Sequence, residues 1–164
     1  MNEFTPSAKL IKPPNKIKQK LSSAVNVRDL LNPETVNKAQ KAIDERKDSF
    51  LIWADEDIEA LTEHLSALKK DTITKELLEK IVKCGEHLRD RGGTFGYELI
   101  SLIAKSLVNY CLTIHQPDPK HTVVIEKHID GLKTILHERI EGNGGVMGTE
   151  LIKGLQQLTA KYSQ

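Results

Sequence analysis

After residue 32, apolar residues recur with a period close to 3.6 along nearly the whole chain, and nowhere with the period of 2 that marks a half-buried strand. Such a chain has to bury helices against helices. Its punctuation sets their number. Asn32-Pro33-Glu34 is an N-cap, a first-turn proline and an acid at the positive end of a helix dipole. The stripe that follows runs through Val36, Ala39 or Ile43, Phe50, Ile52 or Trp53, Ala54, Ile58, Leu61, Leu65 and Leu68. At about 38 residues it is long for one helix, so a break near Asp48-Ser49 is expected. A second helix should begin between Asp71 and Thr74, bury Leu77, Leu78, Ile81, Cys84 and Leu88, and close at Gly92-Gly93. Thr94 is placed to cap a third, with a broad face of Leu99, Leu102, Ile103, Ser106, Leu107, Tyr110 and Ile114. Asp118 and Pro119 read as N-cap and first residue of a fourth, carrying Val123 or Val124, Ile125, His128, Ile129, Leu132, Ile135, Leu136 and Ile140. Beyond the Gly142-Asn143-Gly144-Gly145 turn, Leu151, Ile152, Leu155, Leu158 and Tyr162 define the last. Short connections favour antiparallel neighbours, so four or five helices should surround one core, with Phe50 and Trp53 as anchors.

Composition narrows the functional classes. With 164 residues and 38% hydrophobic content, one core is expected. Lys and Arg number 24 against 23 Asp and Glu, and a net charge of +1 gives no reason to expect nucleic acid as a partner. Cys84 and Cys111 are isolated thiols without metal or disulfide spacing, which points to reduced core residues. No apolar run is long enough for a membrane span and the start lacks a signal-peptide pattern, so a soluble cytoplasmic protein is expected. Residues 1–27 stand apart: no acid occurs from Phe4 to Val27, while Lys9, Lys12, Lys16, Lys18 and Lys20 gather around Pro13-Pro14. This stretch reads either as a solvated basic arm or as a segment whose Leu10, Ile11, Ile17 and Leu21 lie against the bundle or a partner. Residues 28–164 form the expected helical domain.

Ionisable groups crowd the end of the second helix, in Glu86-His87-Leu88-Arg89-Asp90-Arg91, just before Gly92-Gly93-Thr94-Phe95-Gly96. With Leu77, Ile81, Cys84, Gly85 and Leu88 setting the core direction, Glu86 points roughly 140° away beside Lys83 and Asp90, and His87 roughly 120° away on the other flank. Both should face solvent. Other imidazoles carry less: His64 and His137 read as surface positions, His128 as a core-edge residue, and His115 and His121 flank a turn without the further ligands a metal would need. No phosphate-binding glycine loop, triad spacing or zinc-protease motif occurs, and no metal site is expected.

This segment resembles the active segment of histidine-containing phosphotransfer (HPt) domains, most closely a group of bacterial HPt-like proteins. Their motif runs His, any residue, an aliphatic, Lys or Arg, Gly, any residue, then Gly-Gly-Thr-Phe-Gly. Leu88 and Arg89 fill the aliphatic and cationic positions, and Gly92 to Gly96 match throughout. Glu86 stands in the position of the phosphorylatable histidine, and Asp90 in that of the glycine that lets a partner approach. The likeness extends to Ile11–Lys18, Phe50–Asp57, Ile129–Leu132 and the stretch from Gly144-Gly145 to Leu151. It implies an all-α fold, an up-and-down four-helix bundle of HPt type with one extra helix and an extended N-terminal arm. It also implies a place in a two-component phosphorelay, with response-regulator receiver domains as partners and a sensor kinase beyond them. No cofactor is implied, since magnesium would belong to the receiver's aspartate site, and a monomer is expected.

Phosphoryl relay needs an exposed imidazole, a cation to balance phosphate and small residues that admit the partner. A carboxylate at Glu86 cannot serve as a stable carrier, and Glu86 with Asp90 would repel incoming phosphate. The first expectation is therefore a receiver-binding module that carries no phosphoryl group, contacting its partner through Lys83, Arg89, Asp90, Arg91, Gly92 and Gly93, with Glu86 imitating the charge of a phosphohistidine. The second is a working carrier that uses His87 as acceptor. A third, outside signalling, is a helical adaptor whose exposed strip binds an unrelated partner.

Overall fold

The computed structural model describes residues 32–70, 74–116 and 118–162. The expected basic arm over residues 1–27 lies outside them. The chain divides into two units between Ile43 and Asp44. Among the described residues there are five α-helices and no strand: α1 (Pro33–Lys70), α2 (Lys75–Gly92), α3 (Glu98–Thr113), α4 (Lys120–His137) and α5 (Gly145–Tyr162). None is long and apolar enough to cross a membrane.

Local chemistry starts the helices. Asn32 Oδ1 accepts the Glu34 N–H at 3.1 Å, and Thr74 Oγ1 accepts the Leu77 N–H at 3.2 Å, so each satisfies a donor that the first turn leaves without a partner. Asp118 Oδ1 accepts the Lys120 N–H at 2.8 Å, but α4 starts one residue later than expected, with Pro119 as its N-cap and Lys120 as its first residue. Other boundaries differ from expectation. α1 runs unbroken through Asp48 and Ser49, where the Ser49 hydroxyl donates to the Glu45 carbonyl at 3.0 Å within the helix, and its buried stripe of Phe50, Ala54, Ile58, Leu61, Leu65 and Leu68 begins just after them. α2 closes at Gly92-Gly93 as expected, but neither glycine is left-handed: both are right-handed, and the chain tightens into a 3-10 turn over Gly93–Phe95 before Gly96, at φ 84°, reverses it. Thr94 caps nothing, since α3 starts at Glu98 after Tyr97.

α3 is the central element, touching α2, α4 and α5. Eight of its residues are buried, on more than one face: Leu99, Ile100, Ile103, Ala104, Leu107, Val108, Tyr110 and Cys111. Leu102, expected in its apolar face, is exposed instead. α1 joins the core through large side chains. Phe50, 1% exposed, stacks on Phe95 at 5.1 Å and lies 5.5 Å from Tyr97. Trp53 is no anchor: it is 45% exposed, and Ala54 takes the inward position beside it. Between α3 and α4 the core is polar at two points. His128, fully buried, donates from Nδ1 to the Val124 carbonyl at 2.8 Å and accepts from the Ser106 hydroxyl at 2.9 Å. His121 is also buried, with its Nδ1 2.7 Å from the Tyr110 hydroxyl. The sequence reading had the first at the core edge and the second beside a turn; both are interior groups with their hydrogen bonds made.

Candidate functional site

Helical spacing in α2 puts Leu78, Ile81, Gly85, Leu88 and Gly92 inward and leaves Lys83, Glu86, His87, Arg89, Asp90 and Arg91 toward the outer side. Two of the inward positions are glycines because the backbones come close. A Cβ on Gly85 would lie 2.7 Å from Val108 Cγ2, and one on Gly92 would lie 2.7 Å from Ser101 Oγ and 2.9 Å from the Tyr97 carbonyl. Gly92 therefore belongs to the packing of the turn and is not part of the exposed strip on which it was expected.

The turn is held from inside. Ser101 Oγ accepts the Gly93 N–H at 2.8 Å and donates to the Arg89 carbonyl at 2.7 Å, tying α2 to α3 through one hydroxyl. The Tyr97 N–H bonds the Gly92 carbonyl at 2.8 Å. The loop after α4 joins in, with the Gly142 N–H on the Gly96 carbonyl at 2.6 Å and the Leu99 N–H on the Gly142 carbonyl at 2.9 Å. Gly93 thus spends its amide on Ser101, so the Gly-Gly pair does not offer the row of free amides that cradles a phosphate.

Outside, Arg89 is already matched to two carboxylates. Arg89 Nε donates to Asp90 Oδ1 at 2.8 Å, and its Nη1 lies 3.7 Å from Glu86 Oε1. That hydrogen bond from the guanidinium holds the Asp90 carboxyl below its ordinary value. Arg89, the expected phosphate counter-charge, therefore meets two carboxylates first. Glu86 and His87 are only partly open, with side chains 45% and 40% exposed. His87 is held across the helix pair: its Nδ1–H donates to Asp57 Oδ1 of α1 at 3.2 Å. A carboxylate on Nδ1 fixes the neutral tautomer whose lone pair is on Nε2. Asp57 was in the Phe50–Asp57 stretch but had been given no role; only the fold brings it to His87, 30 positions along the chain.

Arg91 leaves the strip altogether. Its guanidinium carbon sits 5.7 Å from the centre of the Trp53 ring, and these two residues with Glu56 and Asp57 line a hollow of about 360 Å³. Lys83 and Glu86 border a second cleft, about 490 Å³, floored by Leu78, Val82, Cys111, Leu112 and Ile114. A depression of about 1130 Å³ lies between α1 and the end of α4, and none of the expected site residues lines it. Burial pushes the Cys111 thiol up to about 12 and raises that of Cys84 as well, which disfavours the thiolate of each. Among the described residues no group of three or more His, Cys, Asp or Glu is placed to hold a metal ion. His64 is half-buried, His115 is exposed, and His137 meets only Glu138, at 3.1 Å. Comparison with protein-family models, with curated proteins and with solved structures returned no match.

Proposed function

We propose that this chain is an HPt-like helical bundle of a two-component signalling pathway, which binds the receiver domain of a response regulator without carrying a phosphoryl group. The five helices support the finer fold as an up-and-down four-helix bundle with α1 extended and one helix added. One observation carries the functional reading. At the position of the acceptor imidazole stands Glu86, 3.7 Å from an Arg89 guanidinium that is hydrogen-bonded to Asp90, so the cation expected to balance phosphate is engaged by carboxylates. An incoming phosphoryl group there would meet two negative charges and a guanidinium already engaged. The same carboxylate gives a receiver domain a negative group where a phosphohistidine would otherwise present one. On this reading the protein acts by occupancy, holding a regulator away from its kinase.

A second reading is favoured by one contact. Asp57 on Nδ1 of His87 directs the Nε2 lone pair outward, the arrangement that prepares an imidazole as a nucleophile. Under it, Nε2 attacks the phosphorus of a receiver's aspartyl phosphate, the P–O bond to the aspartate breaks, and the carboxylate leaves. Incubating the purified chain with radiolabelled phospho-receivers separates the two. Binding without label transfer supports the first reading, with Glu86→His/Asp90→Gly expected to gain acceptance. Transfer that is lost in His87→Ala and reduced in Asp57→Asn supports the second. Failure to bind any receiver would refute both and leave a helical adaptor outside signalling.

A further inference from the structure

Two large apolar side chains stand exposed in succession on α1: Ile52 at 61% and Trp53 at 45%. They are not at a fraying end, for Phe50 and Ala54 on either side are 1% exposed. Trp53 is also held in place. Arg91 comes from α2 to lie 5.7 Å from the ring centre, a cation–π contact that bridges two helices and limits the rotamers the indole can take. An aromatic fixed before binding loses less freedom on association, and Trp and Arg are the residue types that most often dominate protein interfaces.

The surroundings define what fits. Glu56 and Asp57 line the hollow beside the ring, and Asp55 is exposed next to them. Asp57 is taken by His87, whereas Asp55 and Glu56 have no ion-pair partner among the described residues. Arg91 offsets one of these charges and leaves the rim acidic. An acidic rim opposes a nucleic acid or an anionic bilayer and favours a protein surface with basic residues around an apolar pocket.

We propose that Ile52, Trp53 and Arg91 form the knob by which this chain docks its protein partner, and that the partner receives it in an apolar pocket bordered by lysine or arginine. Naming that partner as a receiver domain rests on the function proposed above. Asp57 belongs both to the hollow and to the His87 pair, so the knob adjoins the strip of α2 without sharing Glu86 or Asp90. Docking energy would then come from a patch separate from the strip's charge.

The chain has a single tryptophan, which makes the test local. Protein grown on 5-fluorotryptophan carries one fluorine resonance, to be followed while purified, unlabelled receiver domains are added in unphosphorylated and beryllofluoride-bound forms, with affinities from calorimetry. The expected result is a shifted or broadened resonance with a bound receiver, and affinity reduced about tenfold or more in Trp53→Ala and in Glu56→Lys. Leu102→Ala, an exposed apolar position on α3, should stay within about twofold. Thermal melts confirm that these surface variants are folded. A receiver that binds Trp53→Ala as tightly as the parent, with the fluorine signal unmoved, would overturn the docking knob while leaving receiver binding intact. Absence of binding across the panel would remove the receiver reading and this partner with it.

Discussion

Replacing Gly85 with alanine tests the close approach of α2 and α3 directly. The new Cβ would stand 2.7 Å from Val108 Cγ2, inside the roughly 3.5–4.0 Å at which carbon atoms rest. Val108 is 1% exposed, so its methyl groups have little room to move away. Two effects oppose each other. Alanine in a helix interior gains about 0.8–1 kcal/mol over glycine, whereas a methyl forced into a filled site costs about 1–3 kcal/mol, for a net loss of about 1 kcal/mol. Val108→Ala alone removes two buried methyl groups and opens a cavity, a loss of about 2 kcal/mol. If the contact is real, the added methyl partly fills that cavity, and Gly85→Ala/Val108→Ala should be no less stable than Val108→Ala alone. The coupling is then at least about 1 kcal/mol, above the roughly 0.5 kcal/mol within which independent sites add. Urea unfolding of the four proteins, with equal slopes, measures it. Additive losses, or a Gly85→Ala protein more stable than the parent, would refute the close approach.

Phe50→Ala should cost about 3–5 kcal/mol because it removes a buried ring stacked on Phe95, while Trp53→Ala should cost less than about 1 kcal/mol; comparable losses in denaturant titrations would contradict the assignment of core and surface on α1. Gly92→Ala should destabilise through its crowding against Ser101 and Tyr97, whereas Gly93→Ala, whose Cβ would meet nothing nearer than 3.7 Å, should be tolerated, as thermal melts would show. Burial lowers the pKa of His128, and lowers that of His121 in concert with Lys120, so the unfolded chain takes up protons more readily than the folded one. Stability should therefore be complete above the unfolded value of about 6.5 and decline as pH falls from there through the depressed folded values, at no more than about 1.4 kcal/mol per pH unit for each imidazole. Unfolding free energies measured between pH 7.5 and pH 5 should fall less steeply in His128→Leu, and an unchanged slope would contradict the role given to His128.

Element existence was legible because periodicity and caps are local properties: Asn32 accepts the amide its position predicts, α2 starts at the end of the Asp71–Thr74 stretch, and Asp118 bonds the first amide of α4. What failed depended on three-dimensional placement. Trp53 and Ala54 are neighbours on a broad apolar face, and periodicity cannot choose between a large residue and a small one; the space available in the core does. The paired glycines do close α2, but Gly92 is small because Ser101 is close, and the left-handed turn falls to Gly96. The α2 strip was visible from spacing alone. Its electrostatics were not, because Asp57 and Trp53 come from another helix and convert His87 and Arg91 from free groups into partnered ones. The buried hydroxyl–imidazole pairs were invisible for the same reason: only folding sets Ser106 against His128 and Tyr110 against His121.

The Ser101 hydroxyl bears on how such a protein can diverge. Because it binds the Arg89 carbonyl and the Gly93 amide, the angle at which α2 enters α3 is set by backbone groups and one small side chain. None of the charged side chains of the outer strip contributes to that angle. Substitutions at positions 86 or 90 can therefore accumulate without disturbing that angle, and the same architecture can gain, exchange or lose an acceptor in single steps. Inheritance of form and inheritance of activity are uncoupled at this turn, and a lineage could keep the first long after altering the second.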